Sequence, residues 1–124
     1  MICGKHVSLR AIEKEDLPQL MQWRNKPTLR KYFRETNEIN SINQEKWFDM
    51  VNNKNSIHKM FSIVKSDTNE LMGACGLCYI DWVNRSADFS IYLGYDDIYI
   101  DDKYAIDAAI LMRDYGFNIL NLHR

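Results

Sequence analysis

Hydrophobic and polar residues follow two different periods along the first half of this 124-residue chain. Residues Val7–Ala11 alternate between apolar and polar side chains, which predicts a half-buried strand. Residues 15–25 (EDLPQLMQWRN) place apolar side chains along one side of a helix that has Pro18 in its first turn. A short second helix is predicted for TLRKYF at residues 28–33, and a third follows the capping-box pattern SINQ at residues 41–44.

The next part of the chain predicts an antiparallel meander. Three strands are predicted at residues 58–65, 71–81 and 88–95, and in the first of them apolar side chains lie on both faces. The stretches SDTNE and WVNRSA separate these strands and have the composition of turns. Two glycines in the middle strand, Gly73 and Gly76, indicate a bulge or a close neighbouring backbone.

The last predicted helix covers residues 104–121 and carries an apolar stripe that runs from Tyr104 to Ile119. A stripe of this width is typical of a helix that packs on the face of a sheet. The order of strand, helices, meander and helix predicts an α+β fold, with a mixed, mostly antiparallel central sheet flanked by helices in one domain, residues 1–124. Because no strand follows the last helix, we expect this fold to be incomplete at its C-terminus.

Composition narrows the classes of function without choosing one. The chain is 46% apolar and its formal net charge is −1, so neither a nucleic-acid partner nor a membrane surface is expected. The apolar runs are far shorter than a membrane span, and the N-terminus lacks the apolar core of a signal peptide. The sequence therefore predicts a cytoplasmic protein.

The spacing of cysteine and histidine residues does not suggest a metal site. Cys75 and Cys78 have CxxC spacing, but they fall on a predicted strand, where side chains three residues apart point to opposite faces. His6, His58 and His123 show no spacing typical of metal ligands. No metal is therefore expected.

Three stretches of the sequence carry a family resemblance when they are read in order. They are VSLRAIEKEDLPQLMQWRNKPTLRKYF, GACGLCYIDWVNRSADFSIYLG and DAAILMRDYGFNILNLHR. Together they resemble the GNAT superfamily of acyl-CoA-dependent N-acetyltransferases, and most of all its branch containing the ribosomal-protein N-terminal acetyltransferases. Members of the family usually continue through a further strand, a helix and a closing hairpin, so the resemblance also implies a missing C-terminal part.

The resemblance implies an enzyme that moves an acetyl group from its co-substrate acetyl-CoA to a primary amine without a metal. The acceptor would be a protein N-terminus or a small molecule such as an amino sugar. The amine would attack directly, assisted by a general base. An uncovered sheet edge in such a chain also allows a homodimer.

In the resembled family, the strand before the cofactor loop offers backbone groups to the pantetheine arm, and the following helix N-terminus holds the pyrophosphate. The implied cofactor-binding residues are Ile91, Tyr92 and Leu93 of SIYLG, followed by Lys103, Tyr104, Ala105 and Ile106. The loop before the helix has no glycine, and its residues Asp101 and Asp102 would repel a pyrophosphate unless they only cap the helix. The alternative hypothesis is a non-catalytic relic or interaction module with the same fold.

Two residues of the last predicted strand are candidates for catalysis. Asp88 occupies the position after NRSA where the resembled branch often has glutamate, which implies a general base. The alternative interpretation is an exposed strand carboxylate. Ser90, two residues further along, is the second catalytic candidate.

The resemblance also places an acceptor-binding region at WRN and RKYFRE, which are rich in arginine and aromatic residues. The implied substrate-binding residues are Trp23, Arg24, Asn25 and Arg34. Arginine and aromatic side chains suit an acceptor that carries a phosphate or a sugar ring. The alternative is that Trp23 belongs to the core and the arginines are solvated.

Overall fold

The computed structural model describes residues 1–26, 38–94 and 104–123. Five strands form one sheet in the order β1-β2-β3-β4-β5, and every neighbouring pair is antiparallel. Their bounds are Ile2–Cys3 for β1, Val7–Ala11 for β2, Lys59–Lys65 for β3, Leu71–Asp81 for β4 and Ser86–Leu93 for β5. The predicted α+β fold with its antiparallel meander is confirmed, while the two residues of β1 were too few to leave a period in the sequence.

Three α-helices of the described residues accompany the sheet: α1 covers Leu17–Asn25, α2 covers Ser41–Asn52 and α3 covers Tyr104–Asp114. A 3-10 turn at Lys14–Asp16 leads into α1. The predicted cap of α2 is wrong by one residue, because Asn40 is the N-cap and its side chain accepts a hydrogen bond from the Asn43 N–H at 2.9 Å. Asparagine caps a helix as well as serine does, so the sequence could not distinguish Asn40 from Ser41 as the N-cap. The helix predicted at residues 28–33 lies outside the described residues.

The two faces of the sheet pack against different helices. One face contacts α3 through a buried cluster that includes Leu9, Ile63, Met72, Ala108 and Met112. The other face contacts α1 through a second buried cluster that includes Leu20, Trp23, Ala74 and Tyr92. Cys75 belongs to the first cluster, whereas Cys78 lies on the opposite face with its sulfur 3.7 Å from that of Met60. The prediction that the two thiols point to opposite faces is therefore confirmed.

The last helix ends differently from its prediction. It is α-helical to Asp114 and continues as a π-helical turn over Tyr115–Ile119. The wider turn changes the angular phase of the apolar stripe, so Ile119 is 70% exposed and its predicted place in the stripe is wrong. Leu122 is buried instead, and Asn121, with φ 57°, lies where the helical run ends.

Both glycines of β4 lie close to a neighbouring backbone, as the sequence predicted. A Cβ on Gly73 would overlap the carbonyl oxygen of Tyr92 in β5. A Cβ on Gly76 would overlap the carbonyl oxygen of Lys59 in β3. The missing side chains therefore let β4 lie close to both of its neighbours.

A buried ion pair joins β2, the 3-10 turn and β3. The Asp16 carboxylate accepts two hydrogen bonds from the Arg10 guanidinium, at 2.7 and 2.8 Å. It also accepts one from the Ser62 hydroxyl and one from the Glu13 N–H, both at 2.9 Å. Burial raises the pKa of Asp16, but these hydrogen bonds outweigh burial and hold that pKa below its ordinary value.

Gly94 follows β5 and lies directly against the buried indole ring of Trp23 in α1. We expect Gly94→Ala to lower the free energy of unfolding by about 1–3 kcal/mol, because the added methyl group has to displace a closely packed ring. Urea denaturation followed by far-UV circular dichroism measures this change.

Gly116→Ala is the matched control for that substitution. The side-chain atom nearest to a Cβ at Gly116 is Cδ1 of Leu77, at 3.1 Å, which is the flexible end of its side chain. Alanine also favours helix over glycine by about 1 kcal/mol, so the free energy of unfolding should change by less than about 1 kcal/mol. A Gly94→Ala protein as stable as the wild type would show that the Trp23 ring does not restrict this position.

Candidate active site

An open pocket lies between α2 and the part of the sheet formed by β3, β4 and β5. Its volume is about 680 Å³, which is in the range of small-molecule sites. The lining residues are Arg24, Trp47, Met50, Val51, His58, Met60, Cys78, Tyr79, Asp88, Phe89, Ser90, Ile91 and Tyr92. Five consecutive residues of β5 thus contribute to one wall.

The alternation of β5 places both predicted catalytic residues on the same face of the strand. Asp88, Ser90 and Tyr92 are two residues apart from one another, so their side chains point to one side of the sheet. Tyr92 is buried in the cluster with α1, Ser90 is half-buried and Asp88 is exposed to solvent. Asp88 and Ser90 therefore stand side by side on the wall of the pocket.

Two groups near Asp88 are held in their neutral forms. Burial raises the pKa of the Cys78 thiol, and the negative charge of Asp88 raises it further. Burial also raises the pKa of Tyr92 to about 12, against the opposing effect of the positive charge on Arg24. Both side chains consequently keep their protons at neutral pH, so neither thiolate nor phenolate is available there as a base.

The outer edge of β5 has no strand partner among residues 1–26, 38–94 and 104–123. The N–H of Gly94 donates to the carbonyl of Met72 at 2.9 Å, and this bond fixes the phase of the β4–β5 ladder. Because inward and outward backbone groups alternate along an antiparallel strand, those of Ile91 and Leu93 point away from β4. Two of the three predicted cofactor residues on β5 offer backbone groups at this edge, whereas those of Tyr92 face β4.

The N-terminal turn of α3 contains three more of the predicted cofactor residues. Tyr104 is half-buried, Ala105 is buried and Ile106 is 54% exposed. They do not line the pocket beside Asp88. Lys103 and the aspartates of the preceding loop lie outside the described residues.

Asp107 attaches this end of α3 to the connection between β1 and β2. Its carboxylate accepts hydrogen bonds from the N–H groups of His6 at 2.8 Å and Val7 at 2.9 Å. Burial raises the pKa of Asp107, but the backbone hydrogen bonds outweigh burial and lower it below its ordinary value. The charged carboxylate therefore fixes the start of α3 relative to the sheet.

The predicted substrate-binding residues of α1 separate into three environments. Arg24 lines the pocket. Trp23 is buried behind it against the end of β5. The Asn25 amide exchanges two hydrogen bonds with the backbone of Ile39, at 2.7 and 2.8 Å, so it connects α1 to the segment before α2. Arg34 lies outside the described residues.

Several lining residues were not predicted from the sequence. Trp47 has the helical spacing of a core residue, and it does pack partly against the α1 cluster while also lining the pocket. Cys78 was placed on this face by strand alternation but was not linked to a site. No sequence pattern marked Tyr79 and His58, because the contact between their side chains depends on an irregularity in β4.

The part of the chain that the structure describes contains neither a metal-binding cluster nor a membrane-spanning helix. No group of three or more His, Cys, Asp or Glu side chains there could hold a metal ion. None of the helices in that part is both long and apolar enough to cross a membrane.

Comparison with known proteins gives the same family across nearly the whole chain. The sequence model of the acetyltransferase (GNAT) domain matches residues 6–124. An uncharacterized N-acetyltransferase, p20 of Bacillus licheniformis, is 31% identical over 125 residues, which are 97% of this chain and 67% of that protein. Spermidine N(1)-acetyltransferase of Escherichia coli K12 is 30% identical over 118 residues, which are 95% of this chain and 61% of that protein. The chain thus spans roughly two thirds of the length of these relatives.

Solved structures agree with this fold. Spermidine N-acetyltransferase from Vibrio cholerae, in complex with CoA and spermine, has a TM-score of 0.81 at 25% identity, covering 94% of this chain and 67% of that one. A GNAT-family acetyltransferase from Bacillus anthracis has a TM-score of 0.77 at 16% identity, covering 98% of this chain and 69% of that one, a likeness of fold alone.

Proposed function

The chain belongs to the acetyltransferase (GNAT) domain family, and from that premise we propose that it transfers an acetyl group from acetyl-CoA to a primary amine. One observation carries the proposal: the same pocket contains an accessible carboxylate, Asp88, and a strand whose outer backbone groups have no strand partner in the described part of the chain. The proposal treats residues 1–124 as one domain of this family.

Asp88 is the general base of the proposed reaction. An amine is protonated at neutral pH, so its ammonium group first loses a proton to the Asp88 carboxylate, directly or through a water molecule. The neutral nitrogen then attacks the thioester carbonyl, a C–N bond forms and the C–S bond breaks. The sulfur leaves with the electron pair, and it becomes a thiol by taking up the proton that the nitrogen loses as the amide forms. Ser90, next to Asp88 on the same face, orients the amine, and the protonated phenol of Tyr92 lies behind it.

The outer edge of β5 and the start of α3 hold acetyl-CoA in this proposal. The pantetheine arm of CoA contains amide groups, which suit a row of outward N–H and C=O groups such as those of Ile91 and Leu93. The first turn of α3, from Tyr104 to Ile106, presents a helix N-terminus to the anionic end of the molecule. Lys103, at the sequence position just before this turn, adds a positive charge.

A specific feature favours a second candidate function. The sequence before α3 contains Asp101 and Asp102 and has no glycine, so close approach of a pyrophosphate to this loop meets negative charge. A protein that keeps the fold as a non-catalytic interaction module would not need that approach. The two candidates differ in one measurable property, which is the affinity for acetyl-CoA.

Titration with acetyl-CoA, followed by thermal unfolding, tests the proposed function. A ligand present at 100 times its Kd stabilises the folded state by about 2.7 kcal/mol, and we expect a rise in Tm that corresponds to this. Ile91→Pro should remove most of the rise, because proline deletes the outward N–H of β5 while an edge position tolerates proline in the fold.

Ile91→Val is the control, since it keeps the backbone N–H and a β-branched side chain. It should retain the full rise in Tm. The absence of any shift in the wild-type protein at millimolar acetyl-CoA would reject the enzyme hypothesis for this chain and leave the interaction module. An equal rise in Tm for Ile91→Pro and Ile91→Val would instead show that acetyl-CoA binds away from the outer edge of β5.

The relatives support the type of reaction, but they do not define which amine accepts the acetyl group. The named relatives include spermidine acetyltransferases, whereas the sequence resemblance suggested a protein N-terminus or an amino sugar as acceptor. All of these are primary amines that differ in charge and in the polarity of the group that carries the nitrogen. The charge and polarity of the residues that line the pocket determine which of these amines fits it.

A further inference from the structure

The pocket beside Asp88 carries very little charge for its size. Asp88 is the one carboxylate among its described lining residues, and Arg24 is the one guanidinium. The described walls therefore offer an ammonium group a single point of charge compensation.

Most of the other lining residues are apolar or aromatic, and the polar ones among them are Ser90 and His58. Trp47 and Val51 of α2 form one wall, and Met60 of β3 lies on the sheet side. The Trp47 side chain is half-buried and packs partly against the cluster beneath it, which holds the ring in place. Such a surface binds a hydrocarbon or aromatic group through burial of apolar area.

Tyr79 extends this apolar surface because β4 is irregular at that point. Cys78 and Tyr79 are consecutive residues of β4, and both line the pocket. The register of β4 and β5 shifts between Cys78 and Asp81, and Tyr79 has φ 52°, in the left-handed region that a tyrosine rarely adopts. Irregularities of this kind re-aim a side chain next to a site.

His58 supports the re-aimed ring. Its imidazole packs edge-to-face on Tyr79 with 4.9 Å between ring centroids, and its Nδ1 accepts a hydrogen bond from the Tyr79 N–H at 3.4 Å. These contacts fix Tyr79 at the pocket although 59% of the residue is exposed. The strained backbone at Tyr79 therefore presents an aromatic side chain to the pocket instead of packing it in the core.

These walls suit an amine with one charge better than a polyamine. A polyamine such as spermidine carries several ammonium groups, and each one that is removed from water on binding needs a partner. One ammonium meets Asp88, while the described lining offers no second carboxylate to the others. A monoamine places its single ammonium at Asp88 and its apolar body against Trp47 and Tyr79.

We propose that the acceptor is a singly charged primary amine on an apolar or aromatic body, selected by Asp88 together with Trp47 and Tyr79. This inference rests on the proposed function, but it concerns the binding of the amine and can be measured without acetyl transfer. It assigns Trp47 and Tyr79 a role in specificity.

Equilibrium binding to the intact chain, by calorimetry with and without saturating CoA, tests the inference. The probes are 2-phenylethylamine, ethanolamine and spermidine, which separate an apolar body from a lone ammonium and from a polycation. We expect 2-phenylethylamine to bind at least about tenfold more tightly than either of the others, because it alone matches both the charge and the apolar walls. Thiol release from acetyl-CoA is measured with the same amines.

Two variants and a control connect the binding to the named rings. Trp47→Leu and Tyr79→Leu should each weaken the binding of 2-phenylethylamine at least about fivefold. Trp82→Leu should leave it unchanged, since Trp82 lies in the β4–β5 turn outside the lining of the pocket. Tyr79 is exposed enough that its variant tests the idea even where Trp47→Leu fails to fold.

The possible results separate the inference from the proposed function. Spermidine binding as tightly as 2-phenylethylamine, or no binding of 2-phenylethylamine with or without CoA, overturns the inference. Binding of 2-phenylethylamine without thiol release supports the inference and rejects the proposed function. Thiol release that is fastest with spermidine supports the proposed function and overturns the inference.

Discussion

Asp88→Asn should lower kcat for acetyl transfer by about 10²–10⁴-fold, which is the contribution of a well-positioned general base. Asparagine keeps the size of the side chain but cannot accept the proton that the attacking ammonium has to lose. Thiol release at saturating acetyl-CoA measures kcat. The affinity for acetyl-CoA, measured by calorimetry, should stay the same, since the proposed cofactor contacts are backbone groups at the outer edge of β5.

Two further variants decide whether the carboxylate itself matters. Asp88→Glu keeps a carboxylate at the end of a longer side chain and should retain a substantial part of the activity. Asp67→Asn removes an exposed carboxylate in the turn between β3 and β4 and should have no effect. If Asp88→Asn kept nearly all of the wild-type kcat, Asp88 would be an exposed strand carboxylate without a part in the reaction.

Asp16→Asn should lower the free energy of unfolding by about 3–5 kcal/mol, the cost of breaking a buried ion pair from one side. Asp16 is 6% exposed, and its carboxylate receives hydrogen bonds from Arg10, Ser62 and the Glu13 backbone. The asparagine would leave the Arg10 charge without its partner in a partly buried position. Chemical denaturation of both proteins measures the difference.

The exposed pair of Arg113 and Asp114 provides the control. Their side chains are 3.2 Å apart but 60% and 53% exposed, so Asp114→Asn should change the free energy of unfolding by less than about 1 kcal/mol. Equal effects of Asp16→Asn and Asp114→Asn would contradict the assignment of a buried pair.

The effect of Asp16→Asn should also depend on pH. The pKa of Asp16 is lowered in the folded protein, so its contribution to stability is fully present above the ordinary aspartate pKa of about 3.9. That contribution is lost as the pH falls through the lower pKa of the folded state. The difference in stability between the wild type and Asp16→Asn should therefore narrow below about pH 4.

Strand periodicity carried much of the fold prediction. Alternation located β2, apolar runs bounded by turn-forming stretches located β3 to β5, and strand geometry separated Cys75 from Cys78. Helix ends were less well predicted, because a cap can shift by one residue at low cost, as at Asn40. The π-helical turn after Asp114, in which the Leu120 N–H donates to the Tyr115 carbonyl, was missed because no local pattern in the sequence marks such a turn.

The candidate site was predictable where it follows the strand period. Asp88 and Ser90 share a face of β5 because they are two residues apart, and this could be read from the sequence. Asn25 could not be distinguished from a ligand-binding amide, because its partner Ile39 is fourteen residues away in the chain. Tyr79 could not be predicted at all, since its position depends on a register shift between β4 and β5.

The sequence by itself determined the order of the strands and helices, the faces of the strands and the family resemblance, because these depend on neighbours a few residues apart. The tertiary structure decided how those faces meet: which residues of α2 stand over β5, where the outer edge of β5 points its backbone groups, and that Trp47 and Tyr79 line the pocket beside Asp88. The physical reason is that a pocket is formed by side chains from distant segments, whose approach is fixed by strand register and helix packing. Neither of these is encoded in a local period.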